Sequence, residues 1–345
     1  MKKIGYILLI IILLACFVGV FVFINQDKLI DRFIAQRTAS AQLRTELLDR
    51  DNSIKLVTVG TGSPLPGDRV MSCNAVFVNG KFFLFDVGDG AARALEQFRL
   101  PVTHLDGIFI THWHDDHYMD LPEVINRSWL RGRQKELFVY GPDPLDSIMQ
   151  GVQTFLHIDR KFRLAHHGEA LMDTSVAHAH SRTIDLDGNE SIVVYDDDGV
   201  VITAIAVKHE PIHPSLGYRI DFNGKSLVIS GDTDKSSNLI KHAVDADILL
   251  HEALAFDFIE RAEQIQIELG HTRNAQILKD IRDYHTNPVE AAEVAHEANV
   301  KKLILTHLGP APENPISRTF YTRGMSEIFS GSILLAEDGD LFVIE

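Results

Sequence analysis

One short segment of the chain concentrates the side chains that bind metal ions. It directly follows an apolar run, Ile108–Ile110, and reads Thr111-His112-Trp113-His114-Asp115-Asp116-His117. Histidine nitrogens and carboxylate oxygens both satisfy zinc, so a zinc site here needs no cysteine. A strand followed by a tight turn can aim His112 and His114 at one ion and Asp116 and His117 at a second. A histidine-rich surface loop is the alternative, but this spacing directly after a strand favours a metal site.

Other apolar runs also end directly in polar residues. Leu227–Ile229 precedes Ser230-Gly231-Asp232, Ile248–Leu250 precedes His251-Glu252, and Leu303–Leu305 precedes Thr306-His307. Short apolar runs of this kind are typical of buried strands, and polar residues at their carboxyl ends indicate a site at one rim of layered sheets.

Three further elements complete the predicted frame. Ile54–Val59 alternates and then meets Gly60, as a strand does before a turn. Asn79-Gly80 lies between two apolar runs and predicts a hairpin. Val289–Asn299 predicts a helix with Pro288 at its start. Strands alternating with helices predict an α/β fold.

Five motifs, taken in order, resemble the metallo-β-lactamase superfamily. They are Phe85-Asp86-Val87-Gly88-Asp89-Gly90, the His112–His117 segment, His209 upstream of Gly217-Tyr218-Arg219-Ile220, Gly231-Asp232-Thr233, and Thr306-His307-Leu308. The resemblance covers about residues 54–345. It implies the αββα sandwich of that superfamily.

The resemblance also implies a set of metal ligands. His112, His114 and His209 would hold one ion, Asp116, His117 and His307 would hold the other, and Asp232 would bridge both. Asp86 would orient a ligand histidine. The expected cofactor is two Zn²⁺ ions, with Mn²⁺ or iron as alternatives.

Two later motifs resemble the ribonuclease Z branch of the superfamily. They are His251-Glu252-Ala253 and His285-Thr286, the latter before a helix rich in alanine and glutamate. The resemblance implies that Glu252 and His285 cooperate to protonate the leaving group, and it adds Asp116 to the catalytic residues. His271, in Gly270-His271-Thr272, is a competing match for the histidine.

The middle of the chain is similar to the arylsulfatases of this superfamily. The resemblance rests on Ser128-Trp129-Leu130-Arg131-Gly132-Arg133, on Val139-Tyr140-Gly141-Pro142 and on Phe162-Arg163-Leu164-Ala165-His166-His167-Gly168. It implies hydrolysis of a small anionic ester, a sulfate or a phosphate, by a hydroxide formed from a water bridging two metal ions. Arg131, Arg133, His167 and Tyr218 are the candidate substrate contacts, and Arg131 or Arg133 could hold an anion. Arginines that cap loop carbonyls are the structural alternative.

Two other functions compete with this interpretation. A ribonuclease Z-like phosphodiesterase acting on transfer RNA would match the ligand set, but ribonuclease Z typically grips RNA with a basic, glycine-rich arm, and the chain has no such segment. The net charge of −15 also disfavours nucleic acid as a partner. A non-catalytic envelope binding protein would be expected to lack ligands. A dimer is compatible with these functions.

The N-terminus predicts a membrane anchor. Lys2 and Lys3 precede an uncharged apolar run, Ile4–Ile24, which is long enough to span a bilayer as a helix. A cleaved signal peptide, a lipoprotein signal at Cys16 and a buried core helix are the alternatives. The second cysteine, Cys73, is not expected to pair with Cys16 inside this run.

The resulting domain prediction has three parts. Residues 1–25 form the anchor, residues 26–52 a linker or stalk, and residues 53–345 the hydrolase domain. Positive charge before the apolar run favours a cytoplasmic N-terminus, which would place the catalytic domain in the periplasm or outside the cell.

Overall fold

The computed structural model describes residues 2–40, 42–188 and 190–345. The chain divides into two compact units at the Arg44–Thr45 boundary. The larger unit therefore begins at Thr45, earlier than the predicted Ser53. The reason is a short helical turn, Thr45–Leu48, whose Leu47 is buried in the core.

The N-terminal unit contains one long helix, α1 (Lys2–Ser40). Within it, Ile11–Gln36 is long and apolar enough to cross a membrane, and this span is exposed in the structure. The predicted anchor and the first part of the predicted stalk are thus one continuous helix. A signal sequence near an N-terminus has the same length and composition, so the helix by itself is a candidate anchor.

The larger unit contains two seven-stranded sheets. The first has the order β14-β1-β2-β3-β4-β5-β6. Its strands are β1 (Ile54–Gly60), β2 (Cys73–Val78), β3 (Lys81–Phe85), β4 (Gly107–Phe109), β5 (Leu137–Pro142), β6 (Ala179–Ile184) and β14 (Asp340–Ile344). Strands β3 to β6 are parallel, whereas β14, β1, β2 and β3 pair antiparallel.

The second sheet has the order β13-β12-β11-β10-β9-β8-β7. Its strands are β7 (Ser191–Asp197), β8 (Val200–His209), β9 (Ile212–Phe222), β10 (Lys225–Ile229), β11 (Ile248–Leu254), β12 (Lys302–Gly309) and β13 (Ser332–Leu335). Strands β10 to β13 are parallel. The two sheets therefore each contain a parallel half whose carboxyl ends lie at one edge.

The helices of the larger unit cover the outer faces of both sheets. They are α2 (Ala91–Gln97), α3 (Asp115–Tyr118), α4 (Leu121–Leu130), α5 (Leu145–His167), α6 (Ser237–His242), α7 (Phe256–Glu268), α8 (Thr272–Asp280), α9 (Pro288–Glu297), α10 (Pro315–Tyr321) and α11 (Met325–Ile328). Helices α2, α4 and α5 pack on the first sheet, and α6, α9 and α11 pack on the second.

The facing sides of the two sheets share one core. Phe83, Phe85 and Phe109 of the first sheet pack with Tyr218 and Leu250 of the second. Strands β1 and β11 are covered on both faces, so all of their residues are buried, including the polar Thr58 in β1 and Glu252 in β11. The layers therefore run helix, sheet, sheet, helix, and the predicted αββα sandwich is confirmed.

Several local predictions are also confirmed. Asn79 and Gly80 form the turn between β2 and β3, and both have the positive φ angle that such a turn requires. Helix α9 begins at Pro288, and the Asn287 side chain caps it in a reciprocal pair with Glu290.

Candidate metal centre

The candidate ligands lie where strands of both sheets end. In the first sheet, Asp86 follows β3, and the segment from His112 to His117 follows β4 and enters α3. In the second sheet, His209 ends β8, Asp232 follows β10, and His307 lies within β12 near its end. Packing the two sheets together therefore places all of these residues at one rim.

Three histidines form the first group. The Nδ1 atom of His114 lies 3.0 Å from Nε2 of His112 and 3.3 Å from Nε2 of His209. A tetrahedral ion with bonds of about 2.0–2.1 Å separates its ligand atoms by about 3.3 Å. The three nitrogens therefore have the spacing of ligands that share one ion.

Asp116, His117, Asp232 and His307 form the second group. Oδ2 of Asp116 lies 3.4 Å from Nε2 of His117 and 3.0 Å from Nε2 of His307. Each residue of this group has a ligand atom within 4.8 Å of the others, and all four are buried. The donor set of imidazoles and carboxylates fits zinc.

Asp232 lies between the two groups. Its Oδ2 is 3.2 Å from Nε2 of His117 and 3.4 Å from Nε2 of His307 in the second group. The same oxygen is 3.9 Å from Nε2 of His112 in the first group. The structure thus brings together all seven predicted ligands, and Asp232 has the position that a bridging carboxylate would need.

Asp86 contacts the side of the His117 ring that faces away from the ligand cluster. Its Oδ2 accepts a hydrogen bond from Nδ1 of His117 at 2.8 Å, which turns Nε2 of that ring towards the cluster. The same carboxylate accepts hydrogen bonds from the amide and the hydroxyl of Thr111 at 2.8 Å and 2.9 Å.

Asp86 and His307 both adopt the left-handed backbone conformation that is rare for residues other than glycine. Such strain persists where the surrounding structure enforces it.

The two groups differ in their electrostatics before any ion binds. Burial lowers the pKa of His112, His114 and His209, so their rings are neutral and can offer a lone pair. Burial alone would also lower the pKa of His117 and His307. The negative charges of Asp232 and Asp116 outweigh this effect of burial. The pKa of His117 is raised well above its usual value, and that of His307 is raised to about 8. An ion entering the second group must therefore displace protons.

The carboxylates of the second group show the reciprocal effect. Burial alone would raise the pKa of Asp232, but His117 and His307 hold it well below its usual value. Burial would also raise the pKa of Asp116, but His117, and to a lesser extent His307, lower it. Both carboxylates are therefore ionised and available to a cation at neutral pH.

Glu252 and His285 form a buried pair beside the second group. Nδ1 of His285 lies 2.8 Å from Oε1 of Glu252, and the backbone amides of Thr233 and Thr286 donate to the same oxygen at 3.1 Å and 3.3 Å. Because Nδ1 bonds to a carboxylate, it carries the proton, and Nε2 is left to act on a substrate. His285 also has a ligand atom within 4.8 Å of those of His209 and Asp232.

The competing histidine lies elsewhere. His271 is exposed at the start of α8, and its Nδ1 lies 2.9 Å from the side-chain oxygen of Gln266. Glu252 therefore has His285, and not His271, as its hydrogen-bond partner.

Two of the predicted substrate contacts, Tyr218 and Arg133, require correction. Tyr218 is completely buried in the core between the sheets, and its hydroxyl donates to the carbonyl of Ile110 at 2.6 Å, so no substrate reaches it. Arg133 is buried and donates to Ser128 and to the carbonyl of Lys135. Its side chain therefore has the structural role of capping a loop.

The other two predicted contacts lie on the outer surface. The guanidinium of Arg131 is ion-paired with Glu96 at 2.7 Å. His167 is exposed at the end of α5 and lines a surface cavity of about 340 Å³ together with Arg131 and Arg163. Arg131 and His167 therefore line one surface cavity, and both stay predicted substrate contacts.

Sequence reasoning missed two groups that support the cluster. The carbonyl of Tyr284 lies 2.9 Å from Nδ1 of His209 and thereby orients that ring. Thr111 links Asp86 to His112, because its hydroxyl lies 3.1 Å from Nδ1 of that histidine. The position of Thr111 directly before the histidines was a usable signal, whereas a backbone carbonyl leaves no trace in the sequence.

Comparisons with known proteins agree with this architecture. A family profile described as "Beta-lactamase superfamily domain" matches residues 82–308. A protein named Ribonuclease Z from Mycobacterium marinum is 32% identical over 262 residues, which cover 75% of this chain and 87% of that protein. A Ribonuclease Z from Mycobacterium avium is 30% identical over the same share of both chains.

Solved structures show the same fold. The short form of human tRNase Z superposes with a TM-score of 0.61 at 23% identity, covering 84% of this chain and 98% of that one. The metallo-beta-lactamase fold protein YhfI from Bacillus subtilis gives a TM-score of 0.60 at 19% identity, covering 85% and 100%. At these identities the similarity shows the fold alone.

Proposed function

The chain belongs to the beta-lactamase superfamily, in its ribonuclease Z branch, and from that premise we propose that it is a metal-dependent phosphodiesterase. The observation that carries the proposal is the convergence of seven ligand-type residues beside the Glu252–His285 pair. The non-catalytic alternative predicted a depleted ligand set, which this chain does not have.

The similar proteins favour a different substrate class from the one that the sequence alone favoured. The sequence alone favoured an arylsulfatase-like enzyme, with a ribonuclease Z-like phosphodiesterase as the alternative. The relatives at 30% identity or above are named Ribonuclease Z, and they support the alternative better than the arylsulfatase. One arginine of the motifs that suggested the arylsulfatase, Arg133, is buried and donates to a loop carbonyl, so it no longer supports that substrate.

We assign the ligands as the spacing suggests. His112, His114 and His209 would hold one divalent ion, Asp116, His117 and His307 a second, and Asp232 would contact both. Zinc fits the nitrogen-rich donor set, and Mn²⁺ or iron would accept it as well. When bound, the two ions would supply positive charge against a phosphate and acidify an attacking water.

The protein's own groups then complete the reaction. With its ring protonated at both nitrogens, His285 would donate the Nε2 proton to the departing oxygen and keep the Nδ1 proton, which is hydrogen-bonded to Glu252. Asp86 would keep His117 oriented through Nδ1. Glu252 also accepts two backbone amides, which help to hold its carboxylate in place beside the ring.

A substrate panel tests this proposal. The zinc-loaded full-length protein would be assayed in detergent with nitrophenyl esters of sulfate, of phosphate as a monoester, and of phosphate as a diester, and with a transfer RNA precursor. We expect the phosphodiester to be cleaved fastest, and Asp232→Ala to abolish cleavage. A preference for the sulfate ester would overturn the proposal in favour of the arylsulfatase. Cleavage of the RNA alone would narrow it to a ribonuclease.

We further propose that α1 anchors the protein with the catalytic unit on the periplasmic or extracellular side. The support is the apolar span Ile11–Gln36 with Lys2 and Lys3 before it. Fusing after Arg50 a reporter that is active only outside the cytoplasm should give signal. A silent fusion, together with an active cytoplasmic reporter at the same position, would reverse the orientation and make intracellular RNA accessible.

A further inference from the structure

Two buried arginines lie at the edge of the first sheet that is opposite to the metal centre. Asp86 and His112 follow the carboxyl ends of β3 and β4, whereas Arg133 and His178 precede the amino ends of β5 and β6. These four strands are parallel, so the arginine side of the sheet is separated from the ligand cluster by the length of the strands. Arg160 reaches the same edge from the carboxyl-terminal half of α5, where it contacts His178.

The Arg133 side chain is 1% exposed and only partly hydrogen-bonded. Its Nε donates to the hydroxyl of Ser128 at 3.1 Å, and its Nη1 donates to the carbonyl of Lys135. Its Nη2 is enclosed and meets no acceptor among the described residues. Buried hydrogen-bond donors normally have an acceptor, so we expect an acceptor at Nη2 of Arg133.

Arg160 is 8% exposed and presents a whole unpaired edge. Its Nη1 donates to Nδ1 of His178 at 3.0 Å. Its guanidinium lies 6.0 Å from the centre of the Trp129 ring. Within the described part of the chain, Nε and Nη2 have no acceptor. These two nitrogens form one side of the planar fork, the side that binds oxyanions through two parallel hydrogen bonds.

Arg133 and Arg160 also lack a negatively charged partner in the described ranges of the chain. Among the described residues, no carboxylate oxygen forms an ion pair with either guanidinium. The nearest acid in sequence, Asp159, bonds instead to Asn126 at 3.0 Å and to Arg163 at 3.2 Å. Burial and then the charge of Arg160 lower the pKa of Arg133 to about 10, so it stays protonated at neutral pH. Two enclosed positive charges without a counter-charge are costly in any fold.

We propose that Arg133 and Arg160 form a binding site for a small inorganic anion. The Nε and Nη2 atoms of Arg160 and the Nη2 atom of Arg133 would donate to it, and its charge would offset both guanidiniums. The enclosure of these nitrogens limits the ligand to the size of chloride or of a small oxyanion such as nitrate. The anion would link the end of α4, the carboxyl-terminal half of α5 and the start of β6, a role independent of the proposed phosphodiesterase activity.

Anion-dependent stability tests the site. Thermal unfolding of the zinc-loaded full chain in detergent would be compared in sodium gluconate, sodium chloride and sodium nitrate at equal ionic strength. Gluconate is too large to enter, and neither chloride nor nitrate stabilises proteins by general exclusion as sulfate does. We expect chloride or nitrate to raise the unfolding temperature by about 2–5 °C relative to gluconate.

Three variants locate the effect. Arg133→Met and Arg160→Met should each lose the anion-dependent shift. In gluconate, Arg160→Met should unfold at the same temperature as the wild type or higher, because it no longer buries an unpaired charge. The matched control is Arg131→Met, an exposed arginine paired with Glu96, which should keep the full shift.

Two results would overturn the proposal. One is the absence of any shift in the wild type. The other is a shift that survives in both Arg133→Met and Arg160→Met, since the anion would then bind elsewhere, including at the metal centre. If neither variant folds, bromide-soaked crystals of the wild type decide the matter. An anomalous peak within hydrogen-bond distance of both guanidiniums supports the site, and no peak there refutes it.

Discussion

The ligand cluster and the Glu252–His285 pair lie side by side, but different parts of the fold hold them. Asp116 and His117 enter the cluster from the first sheet, whereas Asp232 and His307 come from the second. Glu252 and His285 both belong to the second half, and backbone amides of that half fix the glutamate. The cluster therefore depends on the packing of two sheets, while the pair is assembled locally. Substitutions should separate metal binding from proton transfer.

The largest effect is expected at Asp232. Asp232→Ala removes the oxygen that lies near both groups, so metal content and turnover should fall together, with turnover reduced by at least about 10⁴-fold. Bound metal per chain and kcat would be measured on the same preparation. Asp234→Ala is the matched control, because this neighbouring acid belongs to neither ligand group. Retention of both ions by Asp232→Ala would show that Asp232 does not bridge.

His285→Ala should separate the two functions. The seven candidate ligands stay in place, so two ions per chain should remain while kcat drops by about 10²–10⁴-fold, the usual contribution of a general acid. The loss should shrink for nitrophenol leaving groups, which need little protonation, and be complete for alkoxides.

The control for this variant is His271→Ala, which should change neither quantity because His271 is exposed and bonds to Gln266. Loss of metal from His285→Ala would instead make His285 a ligand, which its position near His209 and Asp232 also allows.

Asp86→Asn should weaken the cluster without removing a ligand. His117 would lose a charged partner at 2.8 Å, and metal affinity should fall by about 10–100-fold. Competition with a chelator would measure the affinity, and excess metal should restore activity. Asp89→Asn is the control, because Asp89 is exposed in the same loop. If saturating metal fails to restore turnover, Asp86 does more than orient His117.

The smallest effect is expected at Tyr218. Tyr218→Phe leaves the carbonyl of Ile110 without its donor, so the free energy of unfolding should fall by about 1 kcal/mol. Both kcat and KM should stay unchanged, because the side chain is fully buried. Steady-state kinetics and chemical denaturation would test this together. A rise in KM at unchanged stability would return Tyr218 to the substrate site.

The ligand motifs were readable because metal chemistry restricts residue type and spacing. The segment from His112 to His117 follows a strand in both the prediction and the structure, and the strand ends that carry Asp232 and His307 were recognisable as apolar runs meeting polar residues. The predicted substrate contacts at Arg133 and Tyr218 were wrong for the opposite reason. Arginine and tyrosine occur in many settings, and nothing in the sequence around Arg133 or Tyr218 reveals that both side chains point into the protein.

The sequence by itself determined the family, the layered α/β fold, the identity of the candidate ligands and the presence of a long apolar N-terminal segment. These features depend on local patterns of hydrophobicity and residue type. Only the tertiary structure decided which histidine pairs with Glu252 and that the carbonyl of Tyr284 orients His209. It also decided that Arg133 and Arg160 are both buried, one against Ser128 and the other beside Trp129. Such pairings join residues distant in sequence, and the packing of strands and helices, not local periodicity, sets the direction of each side chain.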